Sequence, residues 1–314
     1  MATRESFIAA SAFPAKLLHN KVTKNKKIKP IHIQLIPTNA CNLNCSFCSC
    51  TDRDKKRKLE LEQVVKILDT CSKYGTKAIT VTGGGEPLMY KDINELIDYA
   101  DKLGMEIGLV TNGLLLDRLE KHDNITWCRI SSSDDRMPAY EKIGRAIKKN
   151  PQIDWAFSHV LTNNPNYNVI YSLINFANDY KFSHVRIVSD LLNLENTDIN
   201  NLEQKVKEVG IDDSRVIYQG RKDSTEGTKE CYISLLKPVI SPEGIFPCCG
   251  AQYAINGEKH DMIDKMKMGD IDDIEKVFNV QKYFDGSVCD VCYYSQYNDA
   301  LAKIKMKIDH KNFV

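Results

Sequence analysis

Runs of alternating apolar and polar residues recur along most of the chain, separated by segments in which apolar residues return every three or four positions. The alternating runs predict β-strands, and the longer segments predict amphipathic helices. Strands are expected at residues 31–37, 78–82, 105–110, 125–130, 154–161 and 184–188, and helices at residues 59–68, 93–102, 114–120 and 167–180. This alternation of strand and helix predicts an α/β fold built on a parallel sheet.

Three cysteines directly follow the first predicted strand. Cys41, Cys45 and Cys48 are close enough in sequence for their thiolates to point at one centre. Thiolates are soft ligands that select zinc or iron–sulfur clusters. A closed zinc site requires four ligands, whereas a [4Fe–4S] cluster held by three cysteines leaves one iron open. The count of three therefore favours a cluster, with zinc as the alternative.

A glycine-rich turn follows the second predicted strand, and it reads Gly83-Gly84-Gly85-Glu86-Pro87. Glycines let the backbone approach a ligand closely, and the proline holds Glu86 in an extended conformation. An ordinary turn between a strand and a helix would explain the glycines but not the carboxylate behind them. Carboxylate and carbonyl oxygens are the acceptors that an ammonium group needs.

Together the two motifs resemble the radical S-adenosylmethionine (SAM) superfamily, in which an aromatic residue, here Phe47, precedes the third cysteine of the loop. The resemblance implies a [4Fe–4S] cluster whose open iron binds SAM, and cleavage of SAM to a 5′-deoxyadenosyl radical that abstracts hydrogen from a substrate. It implies a partial (β/α)6 TIM barrel for residues 31–220, with residues 1–30 as an N-terminal extension. An external one-electron donor such as flavodoxin or ferredoxin is the expected partner.

The resemblance also assigns residues near the ends of the strands to the cofactor. The implied SAM-binding residues are Phe47, Gly83, Gly84, Gly85, Glu86, Asn112, Ser132 and Asp134. The glutamate would pair with the ammonium group of SAM, and the hydroxyl and carboxylate after the fourth strand suit a ribose diol. Ser132 and Asp134 fit equally well as the N-cap of a helix beginning near Tyr140. Arg186 on the sixth strand would reach the substrate or the cofactor, whereas His159 and His184 are expected to be buried and hydrogen-bonded.

A second group of cysteines lies in the C-terminal part of the chain, around a predicted hairpin that turns at residues 241–244. Its arrangement resembles the Twitch domain, the shortened form of the SPASM extension, which holds one auxiliary [4Fe–4S] cluster. The implied ligands are Cys231, Cys248, Cys289 and Cys292. Residues 221–314 would then form a small domain of a β-hairpin and a helix, with a four-cysteine zinc ribbon as the alternative.

Cys248 and Cys249 compete for one ligand position, because adjacent residues of an extended chain point in opposite directions. The preceding proline, which is typical of the Twitch pattern, favours Cys248 as the ligand, whereas the number of residues after Gly244 favours Cys249. We expect Cys248 to be the ligand. Cys249 would then be a free thiol near the active centre. We expect it to donate a hydrogen atom to a substrate radical, as a cysteine does in epimerases of the superfamily.

Composition narrows the class of partner. The chain of 314 residues has a formal net charge of +1, so no strong basic field indicates nucleic acid. Its 11 cysteines are clustered in a way that favours reduced thiols in the cytoplasm, and no apolar run is long enough to span a membrane. We expect oxidation or epimerisation of a small sugar, cyclitol or nucleoside-like substrate. Peptide modification, nucleic acid modification and a non-catalytic metal scaffold are the alternatives.

Overall fold

The computed structural model describes residues 28–193, 198–219, 226–252, 262–280, 282–289, 292 and 294–305. The extension predicted for residues 1–30 therefore lies almost wholly outside the described residues. The same is true of residues 220–225, which contain the predicted boundary between the two domains.

A nine-stranded sheet forms the centre of the described structure, in the order β7-β6-β5-β4-β3-β2-β1-β8-β9. The strands are β1 (His32–Leu35), β2 (Ala78–Val81), β3 (Glu106–Thr111), β4 (Ile125–Ser133), β5 (Asp154–Leu161), β6 (His184–Ser189), β7 (Val216–Gln219), β8 (Val239–Ser241) and β9 (Gly244–Phe246). Strands β1 to β7 pair in parallel in chain order, β8 pairs in parallel with β1, and β9 pairs antiparallel with β8. The fold is therefore α/β with a mostly parallel sheet, as the sequence predicts.

Helices follow most of the parallel strands. They are α1 (Leu61–Lys73), α2 (Ile93–Lys102), α3 (Tyr140–Lys149), α4 (Tyr167–Asp179), α5 (Ile199–Glu208), α6 (Ile233–Leu236), α7 (Met262–Met266), α8 (Ile274–Val280) and α9 (Ser295–Lys305). Among the described residues, none of these helices is both long and apolar enough to cross a membrane.

The two faces of the sheet differ in chemistry. Residues such as Leu35, Leu109 and Val185 point towards the helices and form the main apolar core with them. Because side chains alternate along a strand, the neighbouring positions lie on the opposite face, which we call the inner face. The inner face carries His32, Gln34, Thr80, Gly108, Trp127, Arg129, Ser131, Ser158, His184 and Arg186. It is thus largely polar.

The predicted elements agree closely with the structure in most of the sheet. The strand at residues 154–161 and the helix at residues 93–102 have the predicted bounds. The helix predicted at residues 114–120 is wrong, because only one 3₁₀ turn forms, at Leu116–Arg118, and Leu119 returns to an extended conformation. The structure also adds α5 and β7 to the six predicted repeats.

Candidate active site

The loop between β1 and α1 brings Cys41, Cys45 and Cys48 together at the carboxyl end of the sheet. All three are half-buried, and the N–H of Cys48 donates to the carbonyl of Cys45 at 3.1 Å. Burial raises the pKa of the Cys45 thiol, the nearby Cys48 and Cys41 raise it further, and Arg136 opposes them. The three thiols therefore share one electrostatic environment, and a cation faces them.

Side chains from two neighbouring strands hold this loop in place. Asn112, after β3, donates from Nδ2 to Oδ1 of Asn42 at 2.7 Å. Ser46 donates to Oδ2 of Asp135, after β4, at 3.1 Å. The position of the three cysteines is thus set by the ends of the neighbouring strands as well as by β1.

The glycine turn packs directly on the residues that lead into the cysteine loop. The N–H of Gly85 donates to the carbonyl of Thr38 at 3.2 Å, and the N–H of Glu86 donates to that of Ala40 at 2.8 Å. A Cβ on Gly85 would overlap the carbonyl oxygen of Ala40. Only glycine allows the two backbones to approach so closely, which explains the residue without reference to a ligand.

The cysteine loop and the glycine turn together form one surface, which we call the rim. Glu86 is the buried carboxylate of this rim, with 2% of its surface exposed. Oε1 accepts from the Thr111 hydroxyl at 2.6 Å and the Leu88 N–H at 3.0 Å, and Oε2 accepts from the Asn112 N–H at 2.7 Å. Burial raises the pKa of Glu86, and these hydrogen bonds and the nearby Arg136 offset part of that rise. Each oxygen of a carboxylate accepts about two hydrogen bonds, so Oε2 retains capacity for a cationic ligand.

Arg136 is a site residue that the sequence interpretation missed. Its guanidinium donates to the carbonyls of Asn112 at 3.2 Å and Ser131 at 3.0 Å, and it lies within electrostatic range of Cys45 and Glu86. The only sequence signal is its place just after the polar run that ends β4. A turn in which its N–H donates to the carbonyl of Ser133 brings it back over the rim.

Asp134 and Ser132 are engaged by the protein itself. Asp134 accepts from His159 Nε2 at 3.0 Å, from the Asn166 N–H at 3.0 Å, and from the N–H and hydroxyl of Thr162 at 2.7 and 3.0 Å. The N-cap interpretation is wrong, because the residue capping α3 is Ala139, with no side-chain hydrogen bond. A contact of Ser132 or Asp134 with a ribose stays a prediction.

Ser132, His159 and Asp134 form a chain that has the composition of a hydrolytic triad. Ser132 Oγ lies 3.3 Å from His159 Nδ1, and His159 Nε2 lies 3.0 Å from Asp134 Oδ1. Their exposed fractions are 1%, 0% and 4%. These side chains are hydrogen-bonded from end to end and join β4 to β5, so they act as a structural network in this structure.

The remaining predicted residues lie at two levels of the sheet. Phe47, Gly83 and Gly84 belong to the rim, and Phe47 is half-buried. Arg186 lies on the inner face, where its Nη2 donates to the hydroxyl of Ser158 at 3.3 Å. The structure therefore places Arg186 beside β5 on the inner face.

The C-terminal cysteines form a second neighbourhood. Burial raises the pKa of the Cys248 thiol, and Cys249, Cys231 and Cys289 raise it further by their proximity. Cys292 in turn raises the pKa of the Cys231 thiol after burial. The four thiols predicted as auxiliary ligands are thus close neighbours in the structure.

Cys249 has a different set of contacts from Cys248. Its Sγ lies 3.6 Å from the hydroxyl of Tyr294, and it raises the pKa of the Lys237 ammonium against the larger effect of burial. Burial and the nearby Cys48 raise the pKa of Cys50 to about 12, with a small further contribution from Cys249. Cys249 is therefore within electrostatic range of Cys50, which follows the first cysteine group.

The donor sets fit iron–sulfur clusters. Both groups consist of thiols, which are the soft ligands that such clusters require. Thiolates of a [4Fe–4S] cluster bind separate irons and therefore stand further apart than the ligands of one zinc ion. A half-buried trio of thiols with a facing cation is a suitable holder for such a cluster.

Comparison with known proteins agrees with this geometry. Residues 35–172 match the model of the radical SAM superfamily. A probable GTP 3′,8-cyclase of Methanocaldococcus jannaschii is 36% identical over 124 residues, which cover 38% of this chain and 41% of that protein. The radical SAM cyclopropyl synthase TigE of Paramaledivibacter caminithermalis is 25% identical, with coverage of 77% of this chain and 62% of that protein.

The fold also resembles that of solved structures. The crystal structure of Streptococcus suis SuiB bound to precursor peptide SuiA superposes with a TM-score of 0.56 at 16% identity, and covers 89% of this chain and 79% of that one. The chain spans less than two thirds of the length of the two curated relatives, 41% and 62%. A radical SAM fold implies a [4Fe–4S] cluster and SAM as cofactors. Residues 35–172 of this chain therefore resemble the radical SAM superfamily in sequence, and the wider chain resembles its fold.

Proposed function

We propose that this chain is a radical SAM enzyme in which Cys41, Cys45 and Cys48 hold the [4Fe–4S] cluster. The observation that carries the proposal is the contact between the two predicted motifs. The N–H groups of Gly85 and Glu86 donate to the segment that leads into Cys41, so the cysteine loop and the glycine turn form one rim. An independent cysteine loop and an independent glycine turn would not require this contact.

The residues of the rim have separable tasks. When bound, the cluster and SAM supply an electron and a hydrogen-abstracting radical. Glu86 offers the free capacity of Oε2 to the ammonium group of SAM, and the Asn112 N–H fixes the orientation of the carboxylate. Arg136 offsets the negative charge of the thiolates and offers further donors to a carboxylate.

The second cysteine group is proposed to hold an auxiliary [4Fe–4S] cluster through Cys231, Cys248, Cys289 and Cys292. The mutual proximity of these thiols supports the assignment. Cys249 would then donate the hydrogen atom of its S–H bond to a substrate radical. The thiyl radical left behind would take one electron from the external donor and one proton from solvent, which restores the thiol.

The proposed reaction is oxidation or epimerisation of a small polar substrate of the sugar, cyclitol or nucleoside type. The polar inner face beneath the rim and the local similarity to a GTP cyclase support a small polar molecule. A second candidate is bond formation, because the relative whose match covers 77% of this chain is named a cyclopropyl synthase.

Substitution of one rim cysteine tests the class of enzyme. We expect anaerobically reconstituted Cys45→Ala to lose about four irons per chain, together with dithionite-dependent release of methionine and 5′-deoxyadenosine. Cys71→Ala is the matched control, because Cys71 is buried in the core on α1. Undiminished methionine release by Cys45→Ala would refute the proposal.

Mass spectrometry in deuterated buffer separates the candidate reactions. Epimerisation by a thiol that exchanges with solvent adds one deuterium to the product. Oxidation to a carbonyl and formation of a new bond within the substrate each remove two hydrogens, and fragment spectra together with a carbonyl-specific hydrazine reagent distinguish the two products. Comparing Cys248→Ala with Cys249→Ala then separates a ligand, whose loss lowers the iron content, from a hydrogen donor, whose loss stops turnover at full iron content.

A further inference from the structure

Cations from three parts of the chain meet on the inner face of the sheet. Arg129 is on β4 and Arg186 is on β6, with β5 between them. The strand register places Arg129 beside Ala156 and Ala156 beside His184, and it places Ser158 beside Arg186. The two arginines therefore lie in adjacent rows of the inner face. Lys237 lies in the chain just before Pro238 and β8.

These cations repel one another. Burial lowers the pKa of Arg129 to about 9, with a further contribution from the charge of Arg186. Burial also lowers the pKa of Lys237, and Arg129 and Arg186 add to that effect while the Cys249 and Cys248 thiols oppose it. The three positive charges are thus close enough to destabilise each other.

The surroundings of Arg129 do not neutralise it. None of the ion pairs among the described residues joins a carboxylate to Arg129 or to Lys237. The guanidinium instead lies over the ring of Trp127, 5.0 Å from its centroid, and its buried Nε has no hydrogen-bond partner in the described part of the chain. A half-buried cation without a counter-ion costs stability, so a positive charge kept in this place requires another explanation.

Local packing holds Arg129 in this position. Trp127 lies flat against β3 at Gly108, where a Cβ would overlap the indole ring. The ring therefore holds the guanidinium in a cation–π interaction on the inner face. A glycine, a tryptophan and an arginine on two strands are arranged to present one charge on the inner face.

The cation group lies on the same inner face as a row of residues that leads across the sheet to the candidate SAM site. Thr111 on β3 pairs with Ile130 on β4, so the next residues along, Asn112 and Ser131, are level with each other. Ser131 pairs with Ser158 on β5, and Ser158 pairs with Arg186 on β6. Asn112 is the residue whose N–H donates to Glu86. A molecule held by Arg186 would therefore lie in the same row of residues as Asn112, which contacts Glu86 of the candidate SAM site.

We propose that Arg129 and Arg186, assisted by Lys237, bind a phosphate group of the substrate on the inner face of the sheet. The proposal rests on the proposed function, since it names the class of substrate for that same site. Guanidinium groups match the paired oxygens of a phosphate, and a dianion compensates several neighbouring cations better than a single carboxylate does. The substrate is accordingly a phosphorylated small molecule rather than a neutral sugar.

Thermal unfolding of the reconstituted holoenzyme tests the proposal, with inorganic phosphate and pyrophosphate as probes and potassium chloride at equal ionic strength as the reference. We expect both phosphates to raise the melting temperature of the wild-type protein. Arg129→Met should melt at or above the wild-type temperature in chloride, because an uncompensated charge is gone, and its apparent affinity for pyrophosphate should fall at least tenfold. Arg118→Met, at an exposed arginine, is the matched control and should respond to phosphate as the wild type does.

Three results would overturn the proposal. The first is that Arg129→Met melts below the wild type in chloride, which would mean that Arg129 is needed for folding. The second is that Arg129→Met and Lys237→Met both respond to pyrophosphate as the wild type does. The third is that succinate stabilises the protein more than phosphate does. Reductive cleavage of SAM without substrate is measured on the same samples. If cleavage is absent while phosphate binds, the proposed function fails and the anion site stands.

Discussion

The Asp134→Asn substitution distinguishes a buried structural carboxylate from a ribose-binding one. Oδ2 of Asp134 accepts the N–H and hydroxyl of Thr162, and Oδ1 accepts the Asn166 N–H and His159 Nε2. An asparagine keeps one oxygen for Thr162 and turns its amide towards the Asn166 N–H, so two donors then face each other. Loss of the charge weakens the retained hydrogen bonds by about 1 kcal/mol, and a buried N–H without an acceptor costs about 2 kcal/mol.

The expected cost of Asp134→Asn is therefore about 3 kcal/mol, or a fall in melting temperature of roughly 6 °C. The assay is thermal unfolding of anaerobic holoenzyme, with SAM affinity measured by equilibrium dialysis well below the melting temperature. Asp123→Asn is the control, because the Asp123 side chain is 85% exposed and its ion pair with Lys121 contributes little. SAM affinity should change less than twofold in both variants.

The pH dependence provides a second measure of the same carboxylate. Burial raises the pKa of Asp134, but the hydrogen bonds from His159, Thr162 and Asn166 outweigh burial, and the pKa lies below its ordinary value. The stability that this group contributes is therefore present above about pH 4 and is lost as the pH falls below that value. Asp134→Asn should lack this acid-dependent loss. Unchanged stability with a tenfold weaker affinity for SAM would refute the structural role and restore the ribose contact.

Three further predictions concern the rim, a surface helix and the inner face. Gly85→Ala should destabilise the protein by about 1–3 kcal/mol and reduce SAM cleavage, since its Cβ would overlap the Ala40 carbonyl; chemical denaturation and methionine release measure the two effects. Gly144→Ala on α3 should stabilise it by about 1 kcal/mol, because the new Cβ would lie at ordinary contact distance, 3.5 Å, from the Tyr180 hydroxyl. Burial, with Arg129 and Arg186, lowers the pKa of His184 to about 3. Unfolding therefore takes up a proton below about pH 6.5, and wild-type stability should fall with decreasing pH by up to about 1.4 kcal/mol per pH unit. His184→Gln should flatten that slope in melting curves recorded from about pH 8 to pH 5, and an unchanged slope would contradict the assignment.

Local pattern was sufficient to predict the elements whose burial is one-sided. Strand β5 alternates apolar residues towards the helices, and α2 repeats them every three or four positions, so both have the predicted bounds. The cysteine loop and the glycine turn were equally readable, because their chemistry is contained in a few consecutive residues. β7 is only four residues long, Val216–Gln219, and its pairing with β6 rather than its composition makes it a strand.

The rest of the candidate site depends on contacts between distant residues. Arg136 reaches the cysteines only because a turn after β4 reverses the chain, and no spacing in the sequence marks it. Ser132 and Asp134 have the residue types of a ligand site, yet His159 and the loop after β5 occupy them. Hydrogen-bonding capacity can be read from a sequence, but whether the protein itself uses that capacity cannot.

The sheet also determines how the two cysteine groups are joined. The hairpin of β8 and β9 is part of the main sheet, because the N–H of Ile36 donates to the carbonyl of Ile240 at 2.8 Å. At the rim, Asn39 donates to Glu243 at 2.6 Å and Arg57 donates to the Pro242 carbonyl at 2.8 Å. The chain that enters the first cysteine loop and the hairpin that precedes Cys248 and Cys249 are therefore adjacent strands. The β1–β8 register therefore fixes the position of the hairpin relative to the start of the first cysteine loop.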